Sequence, residues 1–147
     1  MTYKKIAKLL SVFAAATIMT ACEIHTSDNG DLDGFWQMQQ IERLNNCKQD
    51  LLPTPMYWSF ECNLMEIRPN NKTQRGIFFH FDHKRDSLRI YDPVSDKRSQ
   101  GDIVVTDPKD LYIYGVFHLS EGFAVEQLSS ETMVLRSDSI RAYFRKY

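Results

Sequence analysis

Apolar side chains recur at every second position along most of the chain from Gly34 onward. Trp58 and Phe60 alternate with polar residues, and Ile77 and Phe79 belong to a similar run. An alternation with a period of two gives a β-strand one apolar face, whereas an amphipathic helix needs a period of about 3.6. The pattern therefore predicts a domain built from strands, and the plentiful aromatic residues are typical of strands rather than of disorder.

The alternation divides into about eight segments that are separated by turn residues. The first segment runs from Gly34 to about Arg43, and the second runs through 58–64, with a bulge expected at Leu64–Met65 because the alternation changes phase there. The remaining segments centre on 77–81, 88–90, 103–105, 123–125, 133–135 and 140–144. Short strands joined mostly by tight turns predict an all-β fold, an up-and-down antiparallel β-barrel, with a β-sandwich as the alternative.

One segment has the signals of a helix instead of a strand. Asp107 is a good N-cap residue, Pro108 suits the first helical position, Asp110 places an acid in the first turn, and Gly115 supplies a stop. We therefore expect one short helical turn at 108–114.

The first 22 residues have the order of a secretory signal. Lys4, Lys5 and Lys8 precede an apolar run, and small residues then lead into Cys22. This segment resembles the lipobox of bacterial lipoproteins, which implies a lipid group on the Cys22 sulfur and cleavage directly before it. The alternative is an ordinary signal peptide cut near Ala21, which would leave Cys22 as a thiol.

These patterns predict a lipoprotein signal peptide at 1–21, a lipidated flexible tether at 22–33 and one barrel domain at 34–147. We expect the protein to be exported and anchored by lipid to the cell envelope, with the outer membrane as the expected membrane. Whether it faces the periplasm or the cell surface stays open.

Charge excludes one class of partner. Cleavage before Cys22 removes three of the 18 basic residues and none of the 19 acidic ones, so the remaining chain carries a net charge of about −4. No cluster of Lys and Arg stands out, which argues against nucleic acid as a partner. The expected partner is the membrane, through the lipid, and a protein partner is not identified.

Two cysteines, Cys47 and Cys62, remain in a compartment that permits disulfides. A bridge between them would close a loop of about 15 residues and stabilise the domain by about 3 kcal/mol. The alternative places Cys62 as a buried thiol on a core-facing strand position and Cys47 in a loop. Spacing alone does not decide between the two.

Parts of the chain resemble lipocalin-like lipoproteins of Gram-negative gut-type bacteria. The resembling stretches are Leu-Asp-Gly-Phe-Trp-Gln-Met at 32–38, Tyr-Gly-Val-Phe at 114–117, and 123–147. The resemblance implies a barrel, an envelope location and no well-defined catalytic residues. In true lipocalins the Trp of Gly-x-Trp closes one barrel end beneath an Arg of the last strand, which by analogy pairs Trp36 with Arg141 or Arg145.

Two short motifs resemble the Asp-Ser-aliphatic sites on which some of these bacteria attach O-glycans. They are 86–88 and 138–140, and both fall in expected turns. Asp-Ser is also ordinary turn chemistry, which is the favoured explanation.

Catalytic and metal-binding patterns are weak. His80, Asp82 and His83 are close in sequence, but on a strand His83 points away from the other two, so we expect no metal site. The sequence has neither a nucleophile elbow nor a glycine-rich phosphate loop. We therefore expect a protein that is not an enzyme and has no cofactor.

The remaining candidate site is the barrel interior, because an eight-stranded barrel is either filled by its own side chains or holds one small ligand. The candidate lining residues are Trp36, Met38, Trp58, Phe60, Phe79, Phe81, Phe123 and Phe144.

Two functions are consistent with this interior. The first is binding of a small hydrophobic or amphipathic ligand beneath a lid formed by the 45–55 loop. The second is a solid barrel that docks a macromolecular partner through exposed aromatic residues such as Tyr112, Tyr114 and Tyr143. An internal cavity favours the first function, and a filled barrel with an exposed aromatic patch favours the second.

Overall fold

The structure is a computed structural model that describes residues 27–44, 55–71, 73–96 and 101–147. The described residues form nine strands: β1 (Gly34–Arg43), β2 (Met56–Glu61), β3 (Leu64–Pro69), β4 (Ile77–Lys84), β5 (Ser87–Ser95), β6 (Ile103–Val104), β7 (Glu121–Leu128), β8 (Thr132–Arg136) and β9 (Ile140–Lys146). They also form two short 3-10 helices, Gly30–Leu32 and Pro108–Tyr114. Within these ranges, no helix has the length and apolar character needed to cross a membrane.

Eight of these strands close into an antiparallel barrel. Strands β1 to β5 pair in chain order, β5 then pairs with β7, and β9 returns to pair with β1. The two-residue β6 adds to the far end of β5. Neighbours in the chain are therefore neighbours in the ring, which confirms the predicted up-and-down barrel and excludes the sandwich.

The predicted bulge at Leu64–Met65 is wrong. Strand β2 ends at Glu61, and Glu61 pairs directly with Leu64 at the start of β3, so the chain reverses through Cys62 and Asn63. The change of phase in the apolar pattern comes from this tight hairpin turn, which lacks the Asn-Gly or Asp-Gly signal that commonly marks such turns. Cys62 adopts a φ of 54°, in the left-handed region.

The predicted helical turn at 108–114 is confirmed as the 3-10 helix Pro108–Tyr114. The Asp107 side chain accepts a hydrogen bond from the backbone N–H of Lys109 at 2.9 Å, and Gly115 ends the helix with a φ of 75°. Leu111 and Tyr114 are buried, and the Tyr114 hydroxyl donates to the carbonyl oxygen of Arg75 at 2.8 Å. The helix therefore covers the end of the barrel that holds the β3–β4 loop.

The opposite end is closed by residues that the sequence assigned to a flexible tether. Leu32 is fully buried, and the Trp36 indole Nε1 donates to its carbonyl oxygen at 2.8 Å. Residues 27–33 thus pack against the barrel, because Leu32 is an apolar residue that fits beneath Trp36. The tether at 22–33 stays a prediction, and its described residues 27–33 contact the barrel.

The left-handed conformation of Gly115 gives a test of the covering helix. We expect Gly115→Ala to lower the free energy of unfolding by about 1–2 kcal/mol, because a Cβ disfavours positive φ. Gly122→Ala is the matched control, since an added Cβ there meets no atom within 4 Å and Gly122 lies in a strand. Urea denaturation would measure the free energy of unfolding of both variants. Equal values for the two variants would contradict the assigned role of Gly115.

Candidate functional site

All eight candidate lining residues point into the barrel and are buried. Their exposed fractions lie between 0% and 7%, with Met38 the most exposed. The core also contains buried residues that were not predicted from the sequence, among them Leu32, Leu111 and Val116. These three come from segments outside the barrel strands, where no alternating pattern marks them as core.

Aromatic rings meet across the full width of this interior. Trp58 on β2 and Phe123 on β7 belong to strands that lie opposite each other in the ring of eight, and their ring centroids are 5.7 Å apart in an edge-to-face arrangement. The Trp58 ring also lies 5.0 Å from that of Phe144 on β9. Such distances are those of packed aromatic pairs, so side chains fill the barrel at this level.

One polar atom in this aromatic cluster has no hydrogen-bond partner among the residues that the structure describes. The Trp58 indole Nε1 is buried and has no hydrogen-bond acceptor among the described residues. A buried donor without an acceptor destabilises a fold by about 1–3 kcal/mol, so it needs a physical explanation. Nε1 is the single hydrogen-bonding atom that Trp58 offers to the interior.

A lysine, not an arginine, lies over Trp36. The Lys146 Nζ sits 4.8 Å from the centre of the Trp36 ring and donates to the carbonyl oxygen of Asp31 at 2.8 Å. The pairing expected with Arg141 or Arg145 is therefore wrong. The β1–β9 register places Lys146 directly opposite Trp36, whereas Arg141 pairs with Glu126 on the outer surface.

Glu121 is a buried carboxylate near the end of the barrel that the helix Pro108–Tyr114 covers. We call this end the upper end. Glu121 holds the covering segment to the barrel through hydrogen bonds. It accepts hydrogen bonds from the backbone N–H of Phe117 at 2.6 Å and of His118 at 3.3 Å, and from the hydroxyl of Ser137. Burial raises the pKa of Glu121 above its usual value, although these hydrogen bonds and the nearby His118 oppose the shift. Glu121 thus ties the covering segment to the β8–β9 turn.

The histidine cluster on β4 does not converge. His80 stacks on Tyr91 with ring centroids 5.9 Å apart, and Asp82 accepts from the Tyr91 hydroxyl at 3.5 Å. Burial lowers the pKa of His83, although the charge of Asp33 opposes the shift. In the described ranges, no three His, Cys, Asp or Glu side chains are placed to hold a metal ion.

The predicted modification positions have different outcomes. Cys22 and Cys47 lie outside the described residues, so lipidation and the Cys47–Cys62 bridge stay predictions. Cys62 is exposed in the β2–β3 turn, so the alternative of a buried, core-facing thiol is wrong. Of the two Asp-Ser-aliphatic sites, Ser87 is exposed and Ser139 is half-buried.

The exposed apolar residues differ from those expected. Tyr114 is buried, while Tyr112 and Tyr143 are half-buried. The large apolar side chains that are exposed in the described residues are Phe35, Leu64, Val104, Ile113 and Tyr147. Most of the 45–55 loop, the expected lid, lies outside the described residues, and the segment seen to cover the upper end is the helix Pro108–Tyr114 with Val116.

Comparison with known proteins identifies the family. A family model described as a lipocalin-like domain matches residues 17–147. The chain belongs to this lipocalin-like family. The resemblance drawn from the sequence is therefore confirmed for the domain, and the lipoprotein character stays a prediction.

Two solved structures are similar to this lipocalin-like chain. A lipocalin-like protein from Bacteroides uniformis ATCC 8492 is 21% identical, with a TM-score of 0.57 over 80% of this chain and 100% of its own. An uncharacterized protein from Bacteroides eggerthii DSM 20697 is 18% identical, with a TM-score of 0.57 over 79% of this chain and 99% of its own. At such identities the likeness concerns the fold alone. No curated protein matches this chain.

The Lys146–Trp36 contact can be tested by removing the charge while keeping an apolar stem. We expect Lys146→Met to lower the free energy of unfolding by about 0.5–1 kcal/mol, the usual range for a cation over an aromatic ring at a partly exposed site. Arg145→Met is the control, since Arg145 is exposed beside Lys146. A larger loss of unfolding free energy in the Arg145 variant than in the Lys146 variant would support the pairing of Trp36 with an arginine instead.

Glu121 predicts a specific pH dependence. A carboxyl whose pKa is raised on folding stabilises the protein fully below the unfolded pKa, and this contribution is lost as pH rises through the folded pKa. We therefore expect the wild-type melting temperature, relative to that of Glu121→Gln, to fall as pH increases above about 4.5, the ordinary pKa of this group. A constant difference between the two proteins across this range would contradict the raised pKa.

Proposed function

We propose that this chain is an exported lipoprotein, held to the cell envelope by lipid on Cys22, whose barrel binds a small apolar or amphipathic ligand. The order of charge, apolar run and small residues before Cys22 supports the export and the lipid anchor. The lipocalin-like fold supports binding rather than catalysis, because barrels of this size hold single small ligands.

The Nε1 of Trp58, which has no acceptor in the part of the chain that the structure describes, is the observation that carries the ligand proposal. An acceptor on a ligand would satisfy this donor, and the surrounding rings would contact the apolar remainder of the molecule. The buried polar or charged residues in the described ranges are Glu121 and Ser137, so a basic partner for a ligand anion is not among them. The ligand class is therefore a neutral, mostly apolar molecule with one oxygen acceptor, such as an ester or a ketone.

Access to the interior requires movement of the side chains that close the barrel. The helix Pro108–Tyr114 covers the upper end, and Leu32 closes the other end beneath Trp36. The upper covering segment is held to the barrel by Glu121 and by the Tyr114 hydroxyl. Because its polar contacts are few, the helix Pro108–Tyr114 is the element that we expect to move when a ligand enters.

A second function, docking of a macromolecule by a solid barrel, is favoured by the filled interior, as expected from the sequence for such a protein. Trp58 and Phe123 touch across the barrel, so a ligand at that level must displace a ring. In this alternative the interior serves stability alone, and recognition falls to the outer surface.

The two functions are separated by mass spectrometry of the intact lipoprotein, purified in detergent from its native host. We expect the mass of Cys22 with its lipid, and in addition a neutral small molecule bound to the barrel in about a one-to-one ratio. Trp58→Phe should retain about three- to tenfold less of that molecule, the usual effect of losing one hydrogen bond. Phe35→Leu, an aromatic residue on the outer wall, should retain it fully.

Each outcome of that measurement decides one part of the proposal. Wild-type protein without a small molecule would support the solid barrel, and equal retention by both variants would exclude Trp58 as the ligand contact. An unmodified Cys22 would overturn the lipid anchor independently of the ligand result.

A further inference from the structure

The first described residues are fastened to the β2–β3 turn. The Ser27 Oγ accepts a hydrogen bond from the backbone N–H of Cys62 at 2.8 Å, and the Asn29 side-chain amide donates to the Cys62 carbonyl oxygen at 2.8 Å. Ser27 and Asn29 also donate to the Asp33 carboxylate, at 2.5 Å and 2.8 Å. We call these four residues the clasp, and it fixes where the N-terminal part of the chain meets the barrel.

Electrostatics favour the clasp at neutral pH. Burial alone raises the pKa of Asp33, but the hydrogen bonds from Ser27 and Asn29, with the charge of Lys146, outweigh it and lower that pKa. The carboxylate is therefore ionised at neutral pH and accepts both side-chain donors.

The clasp limits the distance between the barrel and the lipid. Cys22 and Ser27 are five residues apart in the sequence. A chain advances by at most about 3.3–3.6 Å per residue, so the two α-carbons lie within about 18 Å of each other. The wall next to Ser27 is thereby kept close to any bilayer that holds the Cys22 lipid.

An exposed apolar groove lies on that wall. It has a volume of about 650 Å³ and is lined by Ser27 itself and by Phe35, Leu64 and Phe78 on the outer face of β1, β3 and β4. Phe35 is 60% exposed and Leu64 is 44% exposed. We call Phe35 and Leu64, with the half-buried Phe78, the wall patch.

Charge on this wall argues for apolar contact rather than attraction to anionic head groups. Among the described residues, the groove is lined by the carboxylates of Asp33, Glu61 and Glu66 and by no lysine or arginine. Glu66 forms an ion pair with Arg68. The wall patch therefore has apolar side chains but no basic cluster of the kind that binds acidic lipids.

We propose that the wall patch lies on the bilayer that carries the Cys22 lipid, with Phe35 and Leu64 entering the interface between head groups and acyl chains. This inference rests on the proposed lipid anchor. A short attachment raises the effective concentration of the patch at the surface, so a weak apolar contact is enough to orient the barrel. The clasp sets the orientation, because it joins the lipid-bearing segment to the same wall.

Photolabelling from within the bilayer tests the orientation. The full-length lipoprotein is placed in vesicles of phosphatidylethanolamine and phosphatidylglycerol that contain a phospholipid with a photoreactive acyl chain, and labelled peptides are mapped by mass spectrometry. We expect label on the peptides with Phe35 and Leu64. Val104 and Ile113 are internal controls, since they are 65% and 46% exposed but do not line the groove.

Matched double variants distinguish contact by the wall patch from nonspecific adsorption of exposed apolar residues to the vesicles. Phe35→Ser with Leu64→Ser should reduce labelling of the β2–β3 region about tenfold, because two apolar side chains no longer enter the interface. Val104→Ser with Ile113→Ser should leave that labelling unchanged. Ser27→Ala with Asn29→Ala should spread the label over other faces while the protein stays on the vesicles, because the lipid remains and the clasp is lost.

The outcomes distinguish this inference from the lipid anchor beneath it. An intact mass without lipid on Cys22 would overturn the anchor and the orientation together. A lipidated protein labelled equally at all exposed apolar residues, or mainly at Ile113, would overturn the orientation alone. Absence of label from the patch, with cross-links there to a second copy or to the protein's own acyl chain, would assign the groove to that occupant and overturn the bilayer contact.

Discussion

The contact of Trp58 with Phe123 is the constraint on which the arrangement of the barrel depends. Eight antiparallel strands fix a diameter that one indole and one phenyl ring together span. Around this pair the remaining rings take their places, with Phe144 beside Trp58 and Phe60 packed edge-to-face on Phe81 at 5.3 Å. The interior is thus organised as one aromatic cluster, and it holds an indole N–H that has no acceptor among the described residues.

The two ends of the barrel are closed in different ways, which separates their roles. At the lower end, which is the end opposite the covering helix, hydrogen bonds connect Leu32, Trp36 and Lys146 to the segment that carries the clasp. At the upper end, a short helix is held by a few hydrogen bonds, among them those of the buried Glu121. Attachment to the membrane and access to the interior therefore fall, in our proposal, to opposite ends of the barrel.

Local signals in the sequence predicted much of this fold. They failed for contacts between residues that are far apart in the sequence. The bounds of β1 and the helix Pro108–Tyr114 follow from alternation and capping, which are written into neighbouring residues. The contact of Trp36 with Lys146 depends on the register between the first and last strands, which no local pattern encodes. The burial of Leu32 was not predicted, because a lone apolar residue in a polar segment forms no periodic pattern.

The pairing of β1 with β9 has a consequence for the order of events in the cell. It brings together residues as distant as Glu42 and Tyr143, which are 101 positions apart and share a hydrogen bond. Strand β1 needs a partner on both of its edges, and one of these partners is β9, the last strand. One edge of β1 therefore stays unpaired until β9 is synthesised. The barrel therefore cannot close before its last strand is synthesised, which is compatible with the export that we propose.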